Sequence, residues 1–107
     1  MRWTFAAAVL ALSVGAPIRT AGAGPEGAEV RISDFAFAPR EIRVKRGATV
    51  HWQNQDQEPH TVTSDADAFG SRGLDAGEGY AFTFEKAGRF PYHCALHPMM
   101  TGTVVVE

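Results

Sequence analysis

Tyr80-Ala81-Phe82-Thr83-Phe84-Glu85-Lys86-Ala87-Gly88-Arg89-Phe90-Pro91-Tyr92-His93-Cys94 is the stretch whose rhythm decides the fold class. Apolar side chains recur at every second residue, at Tyr80, Phe82 and Phe84 and again at Phe90, Tyr92 and Cys94, so each run presents one apolar face as an extended strand. A helix would need them three and four residues apart. Between the two runs, Lys86-Ala87-Gly88 predicts a hairpin turn. Cys94 points inward with Phe90 and Tyr92, and His93 points the other way.

The same alternation runs upstream. Val30 and Ile32 face away from Glu29, Arg31 and Ser33, and Phe35 and Phe37 precede Pro39. Ile42 and Val44 alternate with Glu41, Arg43 and Lys45 before a turn at Arg46-Gly47. Val50, Trp52 and Asn54 share one face, with Thr49, His51 and Gln53 opposite, and His60 and Val62 share a face in a further strand-like segment. From Ser64 to Gly79 the composition turns to Gly, Asp, Ser and Ala, which predicts a long loop with at most a helical turn. Thr101 to Val106 is apolar enough for a buried closing strand. Some seven short strands at these intervals predict an all-β antiparallel β-sandwich. No amphipathic helix, repeat or second domain is legible.

The first residues read differently. Met1-Arg2, an apolar run from Trp3 to Val14 and the small residues Ala21-Gly22-Ala23 predict a signal peptide over 1–23 and a folded domain over 24–107, entered through a linker of Gly24, Pro25 and Gly27. The apolar run is too short to span a bilayer, so no membrane span is expected after cleavage. Cleavage would leave 84 residues and remove Arg2 and Arg19, taking the net charge from −2 to −4. A mildly acidic domain without a basic block is not a nucleic-acid binder. One arginine near the start, rather than a pair, indicates general export.

Cys94 is the one cysteine and cannot form an internal disulfide. A lone thiol in an oxidising compartment is a liability unless a metal occupies it. The loop it opens, Cys94-Ala95-Leu96-His97-Pro98-Met99-Met100, sets a thiolate, an imidazole and a thioether three residues apart, and His60 adds a second imidazole. Two nitrogens, one strong sulfur and one weak sulfur are the donor set of a blue copper site: sulfur suits the reduced ion and imidazole tolerates both oxidation states. Met99 and Met100 compete for the weak position; the spacing favours Met100 and leaves Met99 facing solvent. Methionine is a poor zinc ligand, which argues against a zinc site. His51 and His93 occupy outward positions and are expected at the surface. Asp65-Ala66-Asp67 fails the calcium-loop template, with Phe69 and Ala76 where acidic ligands belong.

These residues together resemble the cupredoxin family of small blue copper proteins, and within it most closely the amicyanin group. The likeness covers Pro39 to Gly47, Val50-His51-Trp52, Glu58-Pro59-His60, Phe82-Thr83-Phe84, Tyr92-His93-Cys94 through His97-Pro98 to Met100, and Val104-Val105-Val106-Glu107. It implies a Greek-key form of the sandwich and one type 1 copper ion cycling between Cu(I) and Cu(II), held by His60, Cys94, His97 and Met100. It further implies that Asn54 ties the two ligand loops together and hydrogen-bonds the thiolate. The expected function is a periplasmic, monomeric, mobile electron carrier and not an enzyme, since the His93-Cys94 pair that can wire a second copper has only His51 to spare. Redox partners such as a dehydrogenase or a c-type cytochrome would dock near His97, Pro59, Pro98 and Met99. The alternative is a periplasmic copper carrier or storage protein, for which Met99 would be a second soft donor.

Overall fold

The computed structural model describes residues 27–107; the expected signal peptide, 1–23, lies outside the described residues. Eight strands follow in order: β1 (Ala28–Ser33), β2 (Ala36–Ala38), β3 (Glu41–Val44), β4 (Thr49–Asn54), β5 (Thr63–Ser64), β6 (Gly79–Thr83), β7 (Gly88–His93) and β8 (Thr101–Val106). They form two four-stranded sheets, β2-β1-β4-β6 and β3-β8-β7-β5. The alternation read from sequence is realised most cleanly in β4, where Val50, Trp52 and Asn54 are buried and His51 and Gln53 are exposed. The sandwich is as expected, but neither sheet is purely antiparallel. β1 runs parallel to β4, pairing Val30 with Trp52, and β3 runs parallel to β8, pairing Ile42 with Val104.

Lys86-Ala87-Gly88 does not close a hairpin. β6 and β7 belong to different sheets, and the segment between them arches across the sandwich. Period-two alternation records which face of a strand is apolar, not which sheet the strand joins. Phe84 and Phe90, on either side of that segment, pack together with ring centroids 5.4 Å apart.

Trp52 is the hub of the core. Its ring lies 5.5 Å from Tyr92, 5.6 Å from Tyr80, 6.0 Å from Phe69 and 6.5 Å from Phe84, centroid to centroid. Tyr92 pairs across the β7–β8 ladder with Gly102, and a side chain there would place its Cβ 2.5 Å from the Tyr92 ring. Glycine therefore makes room for the ring to fold over β8. Burial pushes the Tyr92 phenol up to about 12, so it stays neutral in ordinary conditions.

The polar stretch from Ser64 to Gly79 contributes to the core after all. Phe69 and Leu74 are buried. The Ser64 hydroxyl accepts from the amides of Ala66 and Ala68, and the amide of Ser64 donates to the Phe69 carbonyl. Two apolar side chains carry too little periodicity to stand out among Gly, Asp and Ser, but this local hydrogen bonding turns both inward.

The β1–β2 connection is a two-residue turn closed by the pair Ser33 and Ala36. Asp34 and Phe35 both take positive φ, 54° and 57°. Such turns match the twist of a hairpin but favour Asn and Gly, and an aromatic residue there costs on the order of 1–2 kcal/mol. The Asp56 carboxylate offsets part of that cost by accepting from both turn amides, at 2.7 Å from Asp34 and 2.9 Å from Phe35.

Candidate metal centre

Two loops at one end of the sandwich converge. The first leaves β4 and reaches His60, whose amide and carbonyl form a two-way pair of hydrogen bonds with Leu74. Asn54, fully buried, donates through its side-chain amide to the carbonyls of Glu58 and Leu74 and accepts from the Asp56 amide. The second loop runs from Cys94 to Met100. Its ends are fixed by the pairing of His93 with Thr101. Inside it, the Cys94 amide donates to the Met100 carbonyl, His97 to Cys94 and Met100 to His97, at 3.1, 3.2 and 2.9 Å. Seven residues thus curl into a closed loop before any ion enters.

Within that frame three donors face one point. Cys94 Sγ lies 3.7 Å from Nδ1 of His60 and 3.7 Å from Nδ1 of His97, and all three atoms fall within 4.8 Å of one another. Metal–sulfur and metal–imidazole bonds of ~2.3 and ~2.0 Å place two ligands of one ion about this far apart. His60 and Cys94 are fully buried. Met100 is 3% exposed whereas Met99 is 81% exposed, so Met100 is the methionine that turns inward beside the three donors. His97 is half-buried, and its ring reaches the protein surface. The chemistry of the donor set fits copper: one thiolate, two imidazoles turned by the same nitrogen, and a thioether.

Supporting contacts fix the rings. His60 Nε2 lies 2.9 Å from Asp56 Oδ2, which leaves Nδ1 free to offer its lone pair toward the sulfur. Burial works against the charged Asp56 carboxylate, but the Phe35 amide, the His60 ring and the Asp34 amide outweigh it and hold its pKa below the usual value. Asn54 does not reach the thiolate. The hydrogen bond to Cys94 Sγ comes from the Thr61 amide, at 3.3 Å. Thr61 also joins the two loops, its hydroxyl accepting from the Ala95 amide at 2.7 Å. The residue beside the buried histidine does what was expected of Asn54, because its backbone and its hydroxyl point to the same loop. Asn54 braces the first loop only.

Thr61→Val should therefore loosen the site without emptying the core. It strands the Ala95 amide, a loss of about 1–3 kcal/mol, and lets the Cys94 loop shift. Denaturation should show that destabilisation, and the metal-loaded spectrum should broaden while Thr61→Ser stays close to wild type.

His51 is exposed on the outer face of β4. His93 pairs instead with Asp65, Nδ1 to Oδ1 at 2.6 Å, and turns away from the cluster. Asp65 thus has a local partner in place of a calcium ion. Sequence reading overlooked Thr61, Asp56 and Phe35. Asp56 was the most accessible of them, since a carboxylate four residues before a ligand histidine can orient its ring.

A family model for the cupredoxin-like domain matches residues 3–106. Amicyanin of Paracoccus versutus is 33% identical over 96 residues, covering 85% of this chain and 73% of its own. Amicyanin-alpha of Methylorubrum extorquens is 36% identical over 116 residues, covering 96% of each. Among solved structures, an amicyanin variant in its oxidised state superposes with a TM-score of 0.73 at 35% identity, covering 78% of this chain and 85% of that one.

Proposed function

Because this chain belongs to the cupredoxin-like family, we propose that it is an exported, mobile electron carrier holding one type 1 copper ion between His60, Cys94, His97 and Met100. The observation that carries this reading is the convergence of the Cys94 sulfur and two Nδ1 atoms within 4.8 Å, with Met100 buried beside them. Copper, when bound, supplies the one-electron couple Cu(I)/Cu(II). The chain's own work is to hold the donors still. Cys94 and His60 are pinned by Thr61, Asp56 and the pairing with Leu74, so neither oxidation state can recruit new ligands, and little reorganisation opposes transfer. His97 alone among the donors reaches the surface, which makes its ring edge the electron port.

The port has an apolar rim. Pro59, Pro98 and Met99, the residues read as its rim, are exposed, and Leu96 and Phe35 add apolar residues 52% and 46% exposed. A small apolar rim suits brief docking by a monomer to a redox partner such as a dehydrogenase or a c-type cytochrome. The leader read from sequence over 1–23 supports export, and with it a periplasmic location. Among the described residues no helix is long and apolar enough to cross a membrane. The protein is not an enzyme. A copper carrier would use the same four ligands, and Met99, which gives it faint support as a second methionine, is 81% exposed.

One absorption spectrum tests the conclusion. The copper-loaded protein should show an intense band near the red end of the visible, from thiolate bound to Cu(II), and reversible voltammetry. A colourless protein with a freely alkylatable thiol would refute it. Met99→Glu should leave that band intact and slow electron exchange with a c-type cytochrome about tenfold, since a charge on the rim acts on encounter. Collapse of the band would instead place Met99 among the ligands.

A further inference from the structure

Phe35 occupies a place that nothing in the donor set explains. Its ring stands edge-on to both ligand histidines, 5.1 Å from His60 and 5.0 Å from His97 at 88° and 85°. It does so from a turn whose two residues both carry positive φ, where glycine or asparagine would be more comfortable. Strain of that kind persists only when the surroundings impose it, and it collects at functional sites. Here the imposing group is Asp56. One of its oxygens accepts from the Asp34 amide at 2.7 Å; the other accepts from the Phe35 amide at 2.9 Å and meets His60 Nε2 at 2.9 Å. A single carboxylate, only 11% exposed, therefore clamps the aromatic turn and orients a buried ligand at once.

We propose that Asp56 and Phe35 form one positioning unit: Asp56 locks the β1–β2 turn onto His60, and the turn holds the Phe35 ring as an apolar wall across His60 and His97. The wall covers one side of each imidazole against water, leaving the remaining edge of His97 as the port, and limits swinging of His97. An apolar wall disfavours the more highly charged ion, so the unit raises the reduction potential as well as holding the ligands. This inference rests on the blue-copper electron-carrier reading of the site.

Phe35→Gly separates positioning from structure. Glycine relieves the turn, so the metal-free protein should be as stable as wild type or more so. The copper-loaded variant should nevertheless keep its blue band, shift to a lower reduction potential and lose copper affinity in chelator competition, severalfold more for Cu(I) than for Cu(II). Phe35→Leu should recover most of the potential. Asp56→Ala should lose about tenfold or more in Cu(II) affinity and speed amide exchange at Asp34 and Phe35. If the two residues form one unit, the double variant should lose less affinity than the product of the single losses. Wild-type potential and affinity in Phe35→Gly would overturn the proposal, as would fully multiplicative losses in the double variant. A wild-type protein that takes no Cu(II) would instead remove the underlying function. A blue wild type with unchanged variants removes the positioning unit alone.

Discussion

Cys94→Ser should abolish the intense visible band and electron exchange while leaving a folded sandwich. The sulfur is the one strong soft donor, and a serine hydroxyl stays protonated near neutral pH, so neither the covalent thiolate bond nor its charge-transfer transition survives. Structural zinc sites with four ligands bind with about 10–16 kcal/mol, and on that scale losing the strongest of four donors here should lower copper affinity by about a hundredfold or more. The scaffold barely depends on the sulfur. Cys94 donates through its amide to the Met100 carbonyl and accepts at its carbonyl from the His97 amide, backbone contacts that serine keeps. Thermal unfolding of the metal-free variant should lie close to wild type, whereas its copper-loaded form should gain little from the metal. Persistence of the blue band in this variant would move the site elsewhere.

Trp52→Ala should be the most damaging change in the core. Trp52 is 1% exposed and meets Phe69, Tyr80, Phe84 and Tyr92. Emptying that position costs about 3–5 kcal/mol, a large part of the roughly 5–15 kcal/mol that holds a small domain together. The denaturant midpoint should fall accordingly. Trp52→Phe should cost much less, because it keeps an aromatic ring among Phe69, Tyr80, Phe84 and Tyr92. The damage should also reach the metal centre, since Tyr92 lies against Trp52 and stands on β7 two residues before Cys94, which follows the end of that strand. An alanine variant as stable as wild type would mean that the core is centred elsewhere.

Local features of this chain were legible because strands write themselves at period two. Val30 with Ile32, and Val50 with Trp52, declare an inward face regardless of partner, and the Cys94-to-Met100 spacing declares its donors in a single loop. Long-range choices were not legible. Nothing in Lys86-Ala87-Gly88 tells a hairpin from an arch, because the flanking apolar faces are the same in both. The parallel pairing of β3 with β8 joins residues some sixty positions apart, a fact that no local window contains. Phe69 and Leu74 were hidden by their polar surroundings. Asn54 and Thr61 differ for another reason: both are polar and next to the site, and only the path of the backbone decides which one faces the sulfur.

The position of β8 has a consequence for how the molecule is made. The strand is internal, flanked by β3 on one side and β7 on the other, so half of the sandwich cannot assemble until residues 101–106 arrive. The Cys94-to-Met100 loop is closed by the pairing of β7 with β8, so the donors cannot converge until that same strand is in place.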